Sequence, residues 1–233
     1  MTKERIVFVH GTGAFGAAAW PGQHGLSLDF DCLFVKRHGF DAVAEPLPTD
    51  YEADRDIVVR ALGHGGHVVA HAQGAIAAMM AAVENPTLVR SLVLVEPACL
   101  SLTAELPATQ AYHDLLAPLY ARRMDMSDEE FNSQFVRMAF AAQAGELVSE
   151  DARRDARRLR LQAPAWEAPL HIVPGVPTLV LTGGWEPLYE EIAGYLAATG
   201  AVHRVTAGGH RPHDTPEGDR LIRDFIRAQP RKR

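Results

Sequence analysis

Cysteine is scarce in this chain of 233 residues: Cys32 and Cys99 are the only two. Two thiols so placed build neither a disulfide framework nor a metal-ligand spacing, and they fit a reducing, cytoplasmic setting. No apolar run is long enough to span a bilayer, so no membrane partner is expected. Positive charge is not in excess: 23 Lys and Arg stand against 29 Asp and Glu, a formal net charge of −6. That balance argues against nucleic acid as the main partner, and the short tail Arg231-Lys232-Arg233 reads as a solvated end. Met1-Thr2-Lys3-Glu4-Arg5 runs directly into an apolar segment, leaving no room for a signal peptide. Neither an internal repeat nor a low-complexity linker is visible. What remains is ordinary globular composition, 47% hydrophobic and 22% charged, with length enough for one domain carrying an insert.

The chain is organised around His67-Val68-Val69-Ala70-His71-Ala72-Gln73-Gly74-Ala75-Ile76. Its first half is a short apolar strand and its second opens a helix rich in small residues. Between them, Ala70-His71-Ala72-Gln73-Gly74 has the outline of a G-x-S-x-G elbow, with alanine at the first small position and again at the centre, where serine belongs. Small residues flank that centre because a tight strand-to-helix turn leaves no space for side chains.

Around it the periodicity predicts alternating strands and helices. Strands are expected at 6–9, 41–44, 91–95, 177–181 and 202–205, and helices at 32–40, 51–62, 188–199 and 217–228. This alternation implies right-handed βαβ units and a parallel sheet. From about Leu100 to Pro174 the pattern changes to three helical stretches, 108–123, 127–144 and 149–161, rich in Met, Phe, Tyr and Trp. Ser127 with Glu130 three residues on is a helix-start signature. After the first strand, His10-Gly11-Thr12-Gly13 is a loop whose glycines let the backbone approach a ligand.

With these features the chain resembles the α/β-hydrolases over nearly its whole length. The resemblance implies an α/β-hydrolase fold: a mostly parallel sheet flanked by helices, built from residues 1–99 and 175–233, with a helical cap inserted at 100–174. It implies a catalytic triad in the order nucleophile, acid, histidine. Ala72 stands at the nucleophile position. The backbone N–H groups of Thr12 and Gln73 would form the oxyanion hole. His210, in the Gly208-Gly209-His210 loop after the last strand, is the base, with His213 a weaker competitor. His71 is expected to point into supporting structure.

The acid has two candidates. Glu186 holds the usual family position after the penultimate strand; its bland reading is a negative charge at a helix start. Glu96 closes the strand after the elbow helix, as the acid does in a subset that includes some haloalkane dehalogenases, esterases and lactone hydrolases. Glu96 is preferred, because a carboxylate at the end of an apolar strand is costly unless paired.

The resemblance therefore implies hydrolysis of a carboxylic ester or lactone by a Ser-His-Glu mechanism, without metal or organic cofactor. A methyl group at 72 cannot attack a carbonyl. The retained loop, glycine, histidine and acid favour a hydrolase whose serine has been replaced by alanine. The alternative is a non-catalytic protein that keeps the pocket to bind a small molecule, as some hormone-receptor relatives do. A third reading has His210 abstracting a proton in non-hydrolytic work. Epoxide and haloalkane hydrolysis fit less well, since those relatives need aspartate at the elbow centre. The apolar cap and the few charges placeable in a pocket point to a small hydrophobic substrate, a ring-containing one among the options.

Overall fold

The computed structural model describes residues 3–172 and 175–230. The expected cap boundary at Pro174 and the basic tail at 231–233 lie outside the described residues. Six strands form one sheet: β1 (Arg5–Val9), β2 (Asp31–Val35), β3 (Gly66–His71), β4 (Val89–Val95), β5 (Thr178–Thr182) and β6 (Val202–Val205). Their spatial order is β2-β1-β3-β4-β5-β6, and every neighbouring pair is parallel.

The strand alternation explains the layers. Ile6, Phe8, Val69, Val93, Val95, Leu179 and Leu181 face one side, where they meet Trp20 and the Ile222–Ile226 face of α7 (Pro216–Arg227). Val7, Val9, Val68, Ala70, Leu92, Leu94 and Val180 face the other. That side is covered by α1 (Tyr51–Leu62), α2 (Gly74–Glu84) and α6 (Pro187–Ala198). Strands buried on both faces read as continuous apolar runs, which is why β1 and β4 were legible.

The chain runs from β1 outward to β2, then returns to β3 on the opposite side of β1. This reversal makes the carboxyl ends of β1 and β3 the switch point, where open α/β sheets hold their ligands. Residues between β4 and β5 form α3 (Pro107–Ala121), α4 (Asp128–Phe140) and α5 (Glu150–Leu161). They pack around their own cluster of Leu116, Leu119, Tyr120, Met126 and Phe131. Glu191 of α6 ties α3 to the core by accepting from the amides of Ala108 (2.9 Å) and Thr109 (2.8 Å). Among the described residues no helix is long and apolar enough to cross a membrane.

Three local expectations fail. Residues 32–40 are not a helix: Cys32, Leu33, Phe34 and Val35 pair in register with Ile6, Val7, Phe8 and Val9 as β2. Residues 41–44 are not a strand, because Asp41 Oδ1 accepts from the amides of Val43 (2.8 Å) and Ala44 (3.0 Å) and curls the chain. α4 stops at Phe140, where Ala141 turns to φ 49°.

Candidate active site

The elbow forms where β3 meets α2. Ala72 sits at φ 48°, in the left-handed region, a conformation that costs about 1–2 kcal/mol for a residue with a Cβ. Neighbouring hydrogen bonds hold it there. Its amide donates to Val95 O (3.0 Å), and its carbonyl accepts from Ala75 N and Ala98 N (3.1 Å each). Gly74 is required: a Cβ there would lie 2.5 Å from the carbonyl oxygens of Val9 and His10. The turn thus presses directly on the end of β1, and the Ala72 methyl faces the cavity above the sheet.

Glu96 follows β4 and also has a positive φ, 45°. Its side chain is fully buried. Oε1 accepts from the amide of Gly183 (2.6 Å), and Oε2 accepts from Trp185 Nε1 (2.8 Å) and lies 3.4 Å from His210 Nδ1. A carboxylate at Nδ1 places the imidazole proton there and leaves Nε2 as the lone-pair nitrogen. Gly183 matters here too, since a Cβ on it would collide with the carbonyl of Gly209. This close approach sets the His210 loop against the acid. His210 O accepts from His71 Nε2 at 2.8 Å. The His71 ring stands between those of His210 (4.7 Å) and His213 (4.8 Å).

Glu186 lies elsewhere. It caps the start of α6 from the position just before Pro187 without making a side-chain capping bond, and has no contact with His210 among the described residues. His213 is buried with neither ring nitrogen hydrogen-bonded among the described residues. Its Nε2 is 3.6 Å from Asp214 Oδ1, and burial holds its pKa down to about 4. His71 is also buried, and that burial, with the neighbouring histidines, depresses its pKa well below the ordinary value. His71 was expected in supporting structure; it is that, but it also lines the cavity and grips the His210 loop. Trp185 was visible in the sequence as a neighbour of Glu186, yet nothing there showed that its indole N–H would meet Glu96.

Thr12 and Gln73 meet across the switch point, Thr12 Oγ1 donating to Gln73 Oε1 at 2.9 Å. Among the described residues neither backbone N–H is taken by a backbone carbonyl. Behind them, His10 Nδ1 donates to Gly11 O (2.8 Å) and Nε2 accepts from the amide of Arg37 (3.0 Å). Burial, aided by the Arg37 charge, lowers the His10 pKa to about 3. Arg37 pairs with Asp54 at 2.9 Å, both side chains almost wholly buried, and reaches Gln162 Oε1 at 3.2 Å. The loop is therefore braced by a neutral histidine and a buried ion pair.

A sequence model of the alpha/beta hydrolase family matches residues 6–219. The chain belongs to the alpha/beta hydrolase family. No curated protein matches it. Among solved structures it is similar to MenH from S. aureus, with TM-score 0.70 and 15% identity over 97% of this chain and 94% of that one. It is also similar to NosK from Streptomyces actuosus, with TM-score 0.60 and 24% identity over 97% and 99%. A mutant epoxide hydrolase from Bacillus megaterium gives TM-score 0.66 and 15% identity over 97% and 94%. Identities this low speak for the fold alone.

In this alpha/beta hydrolase a cavity of about 760 Å³ opens above the elbow. Ala72, Thr12, Gln73 and His210 line its floor, and rings of Tyr112, Tyr120, Phe135, Phe140, Trp166 and Tyr189 line its upper part. Its volume lies in the usual small-molecule range. Tyr189 and Phe140 approach the His210 ring with centroids 5.2 and 5.7 Å away. Charged groups are more numerous than expected, since Glu146, Asp155 and Arg211 also border it. Neither serine nor cysteine is among the lining residues. Cys99 is buried elsewhere, its thiol pushed up to about 12 by desolvation. The Tyr112, Tyr120 and Tyr189 phenols are likewise raised by burial. Among the described residues no group of histidines, cysteines and carboxylates could hold a metal ion.

Proposed function

We propose that the cavity receives a small apolar ester or lactone, with its carbonyl oxygen on the Thr12 and Gln73 amides and its carbonyl carbon over position 72. The observation that carries this reading is the Glu96–His210 pair, 3.4 Å apart, whose imidazole borders the same cavity as Ala72. With a serine at 72, His210 would take the hydroxyl proton as the oxygen attacks. Glu96 would hold the Nδ1–H tautomer and balance the imidazolium, and the two amides would stabilise the oxyanion. His210 would then protonate the leaving alkoxide and activate water for deacylation. No step calls for a metal or organic cofactor.

With alanine the acyl-enzyme cannot form. Loss of the nucleophile in such a triad removes about six orders of magnitude in turnover. The chain as it stands keeps carbonyl recognition without covalent catalysis. The test is Ala72→Ser, assayed on aryl esters and lactones and with a serine-directed fluorophosphonate. Turnover and labelling at residue 72 support the reading. A folded variant that neither labels nor hydrolyses any acyl substrate overturns it.

The methyl at 72 itself favours a second reading, a binding protein that uses the ring-lined cavity for a small apolar molecule. It predicts saturable binding by the Ala72 chain and no gain of turnover on Ala72→Ser.

A further inference from the structure

A site that had merely lost its nucleophile has no physical need to keep its base poised. Here the base is fully assembled. Glu96 is anchored by two N–H donors besides His210, from Gly183 and Trp185, and the His210 carbonyl is held by His71. The His210 side chain is 25% exposed, and the ring borders the cavity. Nε2 has no hydrogen-bond partner among the described residues, and Ala72, which borders the same cavity, has no polar side-chain atom to offer one. In the same cavity, the Thr12 and Gln73 amides are not taken by backbone carbonyls among the described residues. One cavity thus holds an imidazole backed by a carboxylate, the Thr12 and Gln73 residues proposed to bind a carbonyl oxygen, and a methyl group at the nucleophile position.

We propose that the Ala72 chain uses His210 and Glu96 to remove a proton from the carbon next to a bound carbonyl, on an apolar, aryl-bearing ketone or ester. The proposal rests on the reading that a carbonyl oxygen sits on the Thr12 and Gln73 amides. His210 Nε2 takes the proton. The C–H electron pair becomes the carbon–carbon double bond of the enolate, and the carbonyl π pair moves onto oxygen, where the two amides hold it. The Glu96 carboxylate balances the imidazolium through Nδ1–H. The imidazolium N–H exchanges its proton with solvent water, and return of a proton from Nε2 to carbon closes the cycle, with no oxidant, reductant or nucleophile. The methyl at 72 then has a use: it leaves no nucleophile at the elbow to compete for the base in acyl transfer. Phe140, Trp166 and Tyr189 offer the apolar surface for the aryl group.

The experiment incubates the Ala72 chain in D2O with phenylacetone, which cannot be hydrolysed, and with methyl phenylacetate, which can. The benzylic methylene signal is followed by NMR, and binding is read in parallel from ligand line broadening. The expected result is exchange at least about 100-fold faster than in buffer, proportional to protein. It should fall about 100-fold in His210→Gln and in Glu96→Gln, each shown to be folded by circular dichroism. Exchange that survives both variants overturns the proposal. Binding without exchange overturns it while leaving the carbonyl-binding reading intact. Ester hydrolysis without exchange on either compound overturns it in favour of water activation by the same base. Failure of both compounds to bind or react overturns the proposal together with the reading beneath it.

Discussion

The backbones of Gly183 and Gly209 are in direct contact, and a single added methyl on Gly183 would strike the Gly209 carbonyl. Through this contact the loop carrying His210 is set against the strand end that holds Glu96. Gly183→Ala should therefore cost about 1–3 kcal/mol of stability, as overpacking against immovable backbone does. In an Ala72→Ser background it should also lower kcat, because the ring is displaced from the acid. Thermal unfolding and ester turnover on the same variant check both effects.

Glu96 and Glu186 make opposite predictions. In the Ala72→Ser background, Glu96→Gln should lower turnover by about 10²–10⁴, the usual contribution of a positioned acid–base pair. Glu186→Gln should change it by no more than a few-fold, since Glu186 has no contact with His210 among the described residues. Steady-state kinetics of the two variants on one aryl ester decide between the acids.

Four buried histidines, His10, His67, His71 and His213, have depressed pKa values, burial being the largest cause in each. They are neutral in the folded chain, while the unfolded chain takes up protons near pH 6.5. Their contribution is complete above that pH and is lost as pH falls toward about 4 for His67 and His213 and about 3 for His10. Each should steepen the decline by up to about 1.4 kcal/mol per pH unit. Urea midpoints between pH 7.5 and 5 should fall steadily. His213→Phe should flatten the slope by about one proton, because it removes a buried group whose pKa is held down to about 4.

The Arg37–Asp54 pair is buried on both sides, so removing one partner strands the other charge. Arg37→Met or Asp54→Asn should each cost about 3–5 kcal/mol. The double replacement should cost less than the sum of the two. Chemical unfolding of the three variants completes the cycle.

The central strands, the elbow and the closing helix were legible because each carries its own periodicity or turn chemistry. Val68-Val69-Ala70 before a run of small residues has few alternatives, and Gly74 is needed by the carbonyls it touches. Residues 32–35 were misread because an edge strand is only partly buried, so its apolar residues imitate one face of a helix. Residues 41–44 look strand-like only when the Asp41 side chain is ignored; its two hydrogen bonds to the backbone decide the matter. His210 and Glu96 were recognisable by position in a family pattern. Trp185 and Arg37 were not, because their bonds run to residues 89 and 125 positions away in sequence, a distance over which local patterns say nothing.

Gln162 and Ala163 follow α5, yet they bond to Arg37 beneath the His10 loop and to the Gln73 side chain beside the elbow (3.4 Å). Besides the Glu191 tie, roof and floor are consequently mechanically linked here. Replacing these helices to accommodate a new ligand would require keeping this pair, or rebuilding the support of Arg37 and Gln73. Ligand choice can then vary through the inner surfaces of α3, α4 and α5, which all line the cavity, while the residues just after α5 keep the loops beneath in place.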